Sequence, residues 1–399
     1  MPGHIENFLS ERAKSATTSE VRDLMKYAKI PGIIYLAGGY PCKEAFPVED
    51  IEKISCAVLR ERGPEALQYG ETIGYEGLRK ALIEYMNKNN VPVNSIDEVM
   101  ITSGSQQALD LLGRVFINPG DPVIVEDPTY LAELQVLNDY KARVIPCNMD
   151  KDGIKIDELT RILEQEKIRP KFLYTVSTFQ NPSGITMSEE KRKQLINLSK
   201  KFDFLIIEDD PYSRVRFEGN PVLPIKHFDD EGRVIYLATF SKVFVPSFRI
   251  GPVIADPMII NKLVQAKQSA DLFTEYFGQY VAERYITEGC IYRHIPKIIE
   301  LYRPRRDAMD VAIKKYFGNR VNYVTPNGGM FFWLTFPGNV DTVEMLPKAI
   351  ERKVAYVSSR PFRPGGERNG MRLNFTNQNP ENIDKGISIL AELFNEKLV

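Results

Sequence analysis

Apolar residues recur along this chain with two different periods. The runs VMITSG (99–104), KFLYTVS (171–177), FLIIEDD (204–210), RVIYLATF (233–240) and IGPVIAD (250–256) are short and nearly continuous in apolar residues. That is the pattern of strands buried on both faces. NPGDPVIVED (118–127) reads as a turn entering another such strand, and ARVIPCNM (142–149) as a further extended segment. Between them lie QQALDLLGRVF (106–116), TYLAELQVLNDY (129–140), DELTRILEQEK (157–167) and SEEKRKQLINLSKKF (188–202). These carry apolar residues at helical spacing. Strands that alternate with helices predict a mostly parallel sheet covered on both sides, because each parallel connection needs a crossover.

From DPMIINKLVQAKQSADLF (256–273) to IIELYRPRRDAMDVAIKKYF (298–317) the pattern becomes mainly helical. NYVTPNGGMFFWLTF (322–336) then reads as a hairpin with a glycine turn, MRLNFTN (371–377) as a strand, and PENIDKGISILAELFNEKL (380–398) as a terminal helix. The expected organisation is a large α/β domain over 45–299 and a smaller α+β domain from 300–399 joined by the N-terminal segment 1–44. No internal repeat or low-complexity tract is visible.

Composition narrows the function classes. The 399 residues are 43% hydrophobic and 26% charged, with a formal net charge of -1. Such a balance offers no basic excess for nucleic acid. The four cysteines, Cys42, Cys56, Cys147 and Cys290, form no CxxC pair, and their scatter fits reduced thiols. With only His4, His227 and His294, neither a His-rich metal site nor a Ser–His–Asp triad is expected. The N-terminus has no apolar core of signal-peptide length, and no run has bilayer length, so the expectation is a cytoplasmic protein without a metal.

Ligands of open α/β sheets sit beyond the carboxyl ends of the strands. Four polar sets fall there. TSGSQQAL (102–109) opens a helix, whose backbone N–H groups and dipole suit a phosphate; by itself it reads as an ordinary N-cap. In FQNPSG (179–184), Pro182 holds Asn181 extended, as many loops do. LIIEDDPY (205–212) leaves three acids at the end of an apolar strand, and a buried carboxylate there needs a positive partner, a salt bridge or a protonated heterocycle. LATFSKVFVPSFRIG (237–251) sets Lys242 among hydroxyls and apolar residues, with Arg249 beyond. A lysine shielded from water becomes a nucleophile that forms Schiff bases with carbonyls; one that snorkels covers apolar surface instead. Together the four sets specify a ligand with a phosphate, an aldehyde and a protonated ring nitrogen. Pyridoxal 5′-phosphate (PLP) has those parts.

The chain resembles the class I aminotransferases of PLP fold type I over nearly its whole length. The carrying motifs are LAGGYP, LQYGETIGYEGLR, TSGSQQALDLLGRVFINPGD, EDPTY, FQNPSG, IIEDDPY, TFSKVFVPSFRIG, PNGGMFFW and MRLNF. SEVRDLM, QQALDLLG and VQAKQSADL make it most similar to the α-aminoadipate/kynurenine aminotransferase subgroup. The resemblance implies a large domain with a mostly parallel seven-stranded sheet between helices. It implies that Lys242 carries PLP and shuttles the proton, that Asp209 pairs with the ring nitrogen, and that Tyr212 and Asn181 bind the phenolic oxygen. Ser105, Gln106, Ser241 and Arg249 would hold the phosphate, with Thr239 adding a hydroxyl where many relatives carry serine. Tyr130 would stack on the ring. Arg372, Asn181 and Gly39 would receive the substrate α-carboxylate, and Arg22 a distal carboxylate.

Tyr69 would reach the phosphate of a neighbouring subunit, which implies a homodimer with shared active sites. Gly38 and Gly39 would let the N-terminal segment act as a lid. The loop SSRPFRPGGERNG (358–370) departs from the family pattern and adds Arg360, Arg363 and Arg368, either a solvated charge cluster or a site for an acidic side chain. The implied activity is ping-pong transfer of an amino group from an L-amino acid to a 2-oxo acid such as 2-oxoglutarate. Aminoadipate, glutamate, kynurenine, aromatic, branched-chain and methionine donors all stay open. Other fold-type-I enzymes, a carbon–sulfur lyase or a decarboxylase, are the nearest alternative, and a PLP-sensing regulator a more distant one. A dinucleotide oxidoreductase is not supported, since no strand is followed by G-x-G-x-x-G.

Overall fold

A computed structural model of the chain describes residues 6–15, 24–338 and 340–395. Its strands, in chain order, are β1 (Ile34–Tyr35), β2 (Val99–Ser103), β3 (Pro122–Asp127), β4 (Arg143–Asp150), β5 (Gly153–Ile154), β6 (Phe172–Thr175) and β7 (Leu205–Asp210), then β8 (Val234–Ala238), β9 (Ile250–Ile254), β10 (Phe331–Thr335), β11 (Val354–Ala355), β12 (Val357–Ser358) and β13 (Gly370–Asn374). Eight of them make the central sheet, in the order β2-β9-β8-β7-β6-β3-β4-β5. The five from β8 to β4 run parallel, whereas β9 is antiparallel to both β2 and β8. The two-residue β5 folds back on β4 at the edge, so the expected seven strands are present with one short addition.

The apolar runs become central strands because helices cover both faces. β9 is buried throughout, and β3 and β7 are buried at all but their first residue. β4, near the edge, mixes exposed and half-buried positions. The helices Ser105–Phe116, Leu131–Asp139, Ile156–Glu164 and Glu189–Phe202 lie between strands along the chain, as the spacing predicts.

Beyond this sheet, the helix Cys290–Tyr316 packs against the terminal helix Pro380–Asn395, and residue 299 lies inside the former. β10, β13 and β12 form an antiparallel sheet, and β1 pairs in parallel with β11. The expected hairpin over 322–336 is not formed. Asn322 and Thr335 make one isolated bridge, and β10 takes β13 as its partner. The glycine turn is committed elsewhere: Gly328 bridges Arg216, and a Cβ on Gly328 would lie 2.3 Å from the Phe179 ring. The two glycines therefore allow a close approach of backbone to ring rather than reversing a hairpin.

Candidate active site

At the carboxyl end of β7, alternation sends neighbouring acids to opposite faces of the sheet. Glu208 is fully buried and satisfied: it accepts from Ser177 Oγ (2.6 Å), from the Ile225 and Lys226 amides (both 2.9 Å), and lies 3.7 Å from the buried Arg192. Asp209 points the other way. Its Oδ2 accepts from the Tyr174 hydroxyl at 3.0 Å, while Oδ1 is buried without a partner. Burial, with no close cation bonded to it, lifts the Asp209 carboxyl to about 7.

Lys242 follows β8 in a turn. Its Nζ donates to the Gly39 carbonyl at 2.9 Å. Burial, then the positive charges of Arg372 and Arg249, push the amine down to about 8, while Asp209 pulls the other way. A part-buried amine with this proton affinity is suited to attack a carbonyl and to exchange protons near neutral pH.

Asn181 and Arg372 meet across the molecule. Asn181 follows the loop after β6, where the Asn181–Pro182 bond is cis, and is 5% exposed. Its amide nitrogen faces the Tyr212 hydroxyl at 3.4 Å, and its oxygen accepts from Arg372 Nη1 at 2.9 Å. Burial also raises the proton affinity of Tyr212 above the ordinary phenol range. Arg372 Nη2 donates to the Ala37 carbonyl at 3.2 Å, and Gly39 stands beside that same nitrogen. The guanidinium lies over the rings of Phe331 and Phe362, at 4.2 and 4.9 Å. It is buried, its Nε has no partner, and among the described residues it pairs with no carboxylate. Burial lowers it to about 10. A cation held in this way is a waiting site for an anion.

The phosphate-type groups gather at a helix start. Gly104, at φ +75°, caps the helix Ser105–Phe116, and a Cβ there would lie 2.4 Å from Arg249 Nη2. Arg249 itself has φ +55° and reaches Ser241 Oγ at 3.5 Å and the Ser103 carbonyl at 3.3 Å. Thr239 Oγ1 and Ser241 Oγ are 3.0 Å apart, and Ser105 Oγ lies 3.4 Å from the Ala238 carbonyl. Gln106 is exposed at the same helix start. Tyr130 precedes the helix Leu131–Asp139, near enough to Tyr212 and Arg372 to affect their ionisation.

One expected residue stands apart, and another is not among those described. Tyr69 is 77% exposed, with its ring against that of Phe273 at 5.6 Å. Arg22 lies outside the described residues. In the loop 358–370, Arg363 pairs with Asp127 (2.9 Å) and Glu367 (3.4 Å), and Arg368 with Asp341 (2.8 Å). Two more buried acids were not anticipated. Glu126 accepts from Thr175, Val176 and Gln180. Glu133 is 1% exposed with Oε2 unpartnered, and burial with the nearby Asp209 lifts it to about 8. Its signal was an acid three residues after Tyr130, on the buried face of an otherwise apolar helix.

PLP fits this set. The unpartnered Oδ1 of Asp209 suits a protonated ring nitrogen, the Gly104–Ser105 helix start with Arg249 and Ser241 suits a phosphate, and Lys242 suits the aldehyde. Among the described residues no helix is long and apolar enough to cross a membrane, and no group of His, Cys, Asp and Glu is placed to hold a metal.

Comparison with known proteins agrees. The family model for aminotransferase class I and II matches residues 34–390. An aromatic-amino-acid aminotransferase of Thermococcus litoralis is 48% identical over 398 residues, covering 98% of this chain and 95% of that protein. A 2-aminoadipate transaminase of Thermus thermophilus is 36% identical, covering 94% of this chain and 93% of its own. The crystal structure of Pyrococcus horikoshii kynurenine aminotransferase, in complex with PMP, superposes with a TM-score of 0.95 at 46% identity, covering 100% of this chain and 99% of that one. The chain belongs to the class I and II aminotransferases: it is a PLP-dependent transaminase of fold type I, acting on amino acids and 2-oxo acids.

Proposed function

We propose that the preferred amino donors are aromatic and kynurenine-type L-amino acids, with 2-oxoglutarate as acceptor in a ping-pong cycle. The observation that carries this is the setting of Arg372. Its guanidinium has no carboxylate partner among the described residues and is flanked by the Phe331 and Phe362 rings, with Tyr35 and Trp333 buried nearby. The arginines of the 358–370 loop that would otherwise welcome a second carboxylate, Arg363 and Arg368, are already paired. The names of the Thermococcus and Pyrococcus relatives support the same reading.

PLP, when bound, supplies an electron-poor ring that accepts the electron pair left when the substrate Cα–H bond breaks. Arg372 and Asn181 bind the α-carboxylate, with Gly39 leaving room beside the guanidinium. Lys242 Nζ would take the proton from the substrate Cα and pass it to the carbon that carries the cofactor's aldehyde. Asp209 keeps a proton on the ring nitrogen; Tyr212 and Asn181 bind the phenolic oxygen; Tyr130 covers the ring face. Ser105, Gln106, Thr239, Ser241 and Arg249 hold the phosphate. Residues 45–299 act as the cofactor-binding domain, and 1–44 with 300–399 as the smaller one.

A homodimer completes the site through Tyr69, and the cytoplasm is its location. The support is an exposed apolar margin, Leu67, Tyr69, Met258 and Leu272, around a groove that includes Ile73 and Pro257. The 2-aminoadipate relative favours a second reading in which Arg22 receives a distal carboxylate. A donor screen against 2-oxoglutarate decides. Higher kcat/KM for phenylalanine, tyrosine and kynurenine than for 2-aminoadipate and glutamate supports the first reading. The reverse order, lost in Arg22→Ala, supports the second.

A further inference from the structure

The face of the sheet opposite Asp209 carries a cavity of about 340 Å³, within the size range of small-molecule sites. Asp210 lines it, and Asp209, Lys242, Asn181 and Arg372 do not. Its charge is unbalanced. Of its cations, Lys88 pairs with Glu84 and Arg192 lies against Glu208. Arg214 and Arg216 have no ion pair among the described residues, and the Nε of each is buried without a hydrogen-bond partner. Arg214 has the Tyr85 hydroxyl beside it; Arg216 lies over the Phe179 ring at 4.6 Å. Asp210 is the one carboxylate lining the cavity, and it accepts from Tyr236 (2.6 Å) and the Ser213 amide (3.0 Å). Met86, Phe240, Val243, Ile295 and Ile299 give the wall an apolar side, and Asn89, Asn90, Thr178 and Thr239 add polar groups.

We infer that this cavity binds a small organic carboxylate with an apolar body, and that its occupancy is felt at the active site. Two guanidiniums without an ion pair, lining a cavity with one carboxylate that is already hydrogen-bonded, take up a further anion, and the apolar side takes up its body. The coupling is structural. Thr239, Phe240 and Val243, on either side of Ser241 and Lys242, form part of the wall. An occupant therefore touches the back of the turn that presents Lys242. Arg216 is also bridged to Gly328, two residues before Met330 and the Phe331 that flanks Arg372. This inference stands apart from the choice of amino donor.

The test uses the PLP-loaded enzyme and phenylacetate, which has no amino group to transfer. Calorimetric titration should give two phenylacetate molecules per chain, one at Arg372 and one in the cavity. With amino donor and 2-oxo acid both saturating, phenylacetate should change kcat by about fivefold, the scale of a modest coupling between sites. The Arg214→Gln, Arg216→Gln double variant should bind one molecule per chain, show purely competitive inhibition, and keep wild-type kcat/KM without phenylacetate. If that variant does not fold, Ile299→Trp, which fills the cavity from the helix Cys290–Tyr316, should give the same loss. One molecule per wild-type chain overturns the inference. So does a second molecule that survives in the variants, or one that leaves kcat unchanged.

Discussion

Glu208 and Asp209 are neighbours on one strand, both buried at its carboxyl end, and their surroundings differ completely. Glu208 has both oxygens satisfied by a hydroxyl and two amides, with Arg192 beyond. Asp209 has one oxygen bonded and one left open. The first binds two loops to the sheet. The second keeps one buried oxygen without a partner. A buried acid whose hydrogen bonds are all made is architecture, whereas one kept short of a partner, beside a lysine of lowered proton affinity, is a reaction site.

Perturbing the two sides should separate these roles. Lys242→Ala should cost the largest factor, about 10,000-fold in kcat, with the fold retained; stopped-flow half-reactions measure it, and normal transamination would refute the assignment. Asp209→Asn should lower kcat about 1,000-fold, the scale of a lost electrostatic partner. The apo-protein melting temperature should hold or rise, because an unpaired buried carboxylate has been removed. Glu208→Gln should do the opposite: a stability loss of about 3 kcal/mol by urea denaturation, with near wild-type kcat in the molecules that remain folded. Arg372→Gln should reduce kcat/KM about 100-fold through the lost charged hydrogen bonds to the carboxylate.

The smallest effect is a pH dependence of the apo protein. The Lys242 amine sits at about 8 against 10.5 for an ordinary lysine. Between those values the unfolded chain holds more protons than the folded one, so stability rises with pH across that window. The Asp209 carboxyl sits at about 7 against 3.8, so its effect runs the other way: present at low pH and lost as pH rises through 7. Relative to Lys242→Ala, the wild-type melting temperature should climb between pH 8 and 10. Relative to Asp209→Asn, it should fall between pH 4 and 7.

The sheet and its flanking helices were legible because local apolar patterning and tertiary burial coincide there. IIEDD could be read as a costly strand end, and its acids are indeed buried. Which acid is satisfied could not be read, because the partners of Glu208 come from residues 177, 192 and 225–226. Glu133 escaped notice because its helix looks like ordinary packing. The glycines at 328–329 were misread as a hairpin turn because the Phe179 ring they accommodate is far away in sequence. Arg214 and Arg216 had no signature, because Arg214 sits in a turn and Arg216 in a single bridge to Gly328, where strand alternation does not apply.

The bond pattern around Arg372 carries one last consequence. The oxygens of Asn181 and Ala37 accept from its two terminal nitrogens, the places a carboxylate's two oxygens would take. In the role proposed for Arg372, recognition is an exchange rather than an addition: an incoming acid displaces neutral placeholders that already fit. The guanidinium is kept aligned between turnovers at little cost in rearrangement. Affinity becomes the difference between a charged and an uncharged acceptor, so esters and amides of a good donor, offering only the latter, would gain nothing by displacing what is already there.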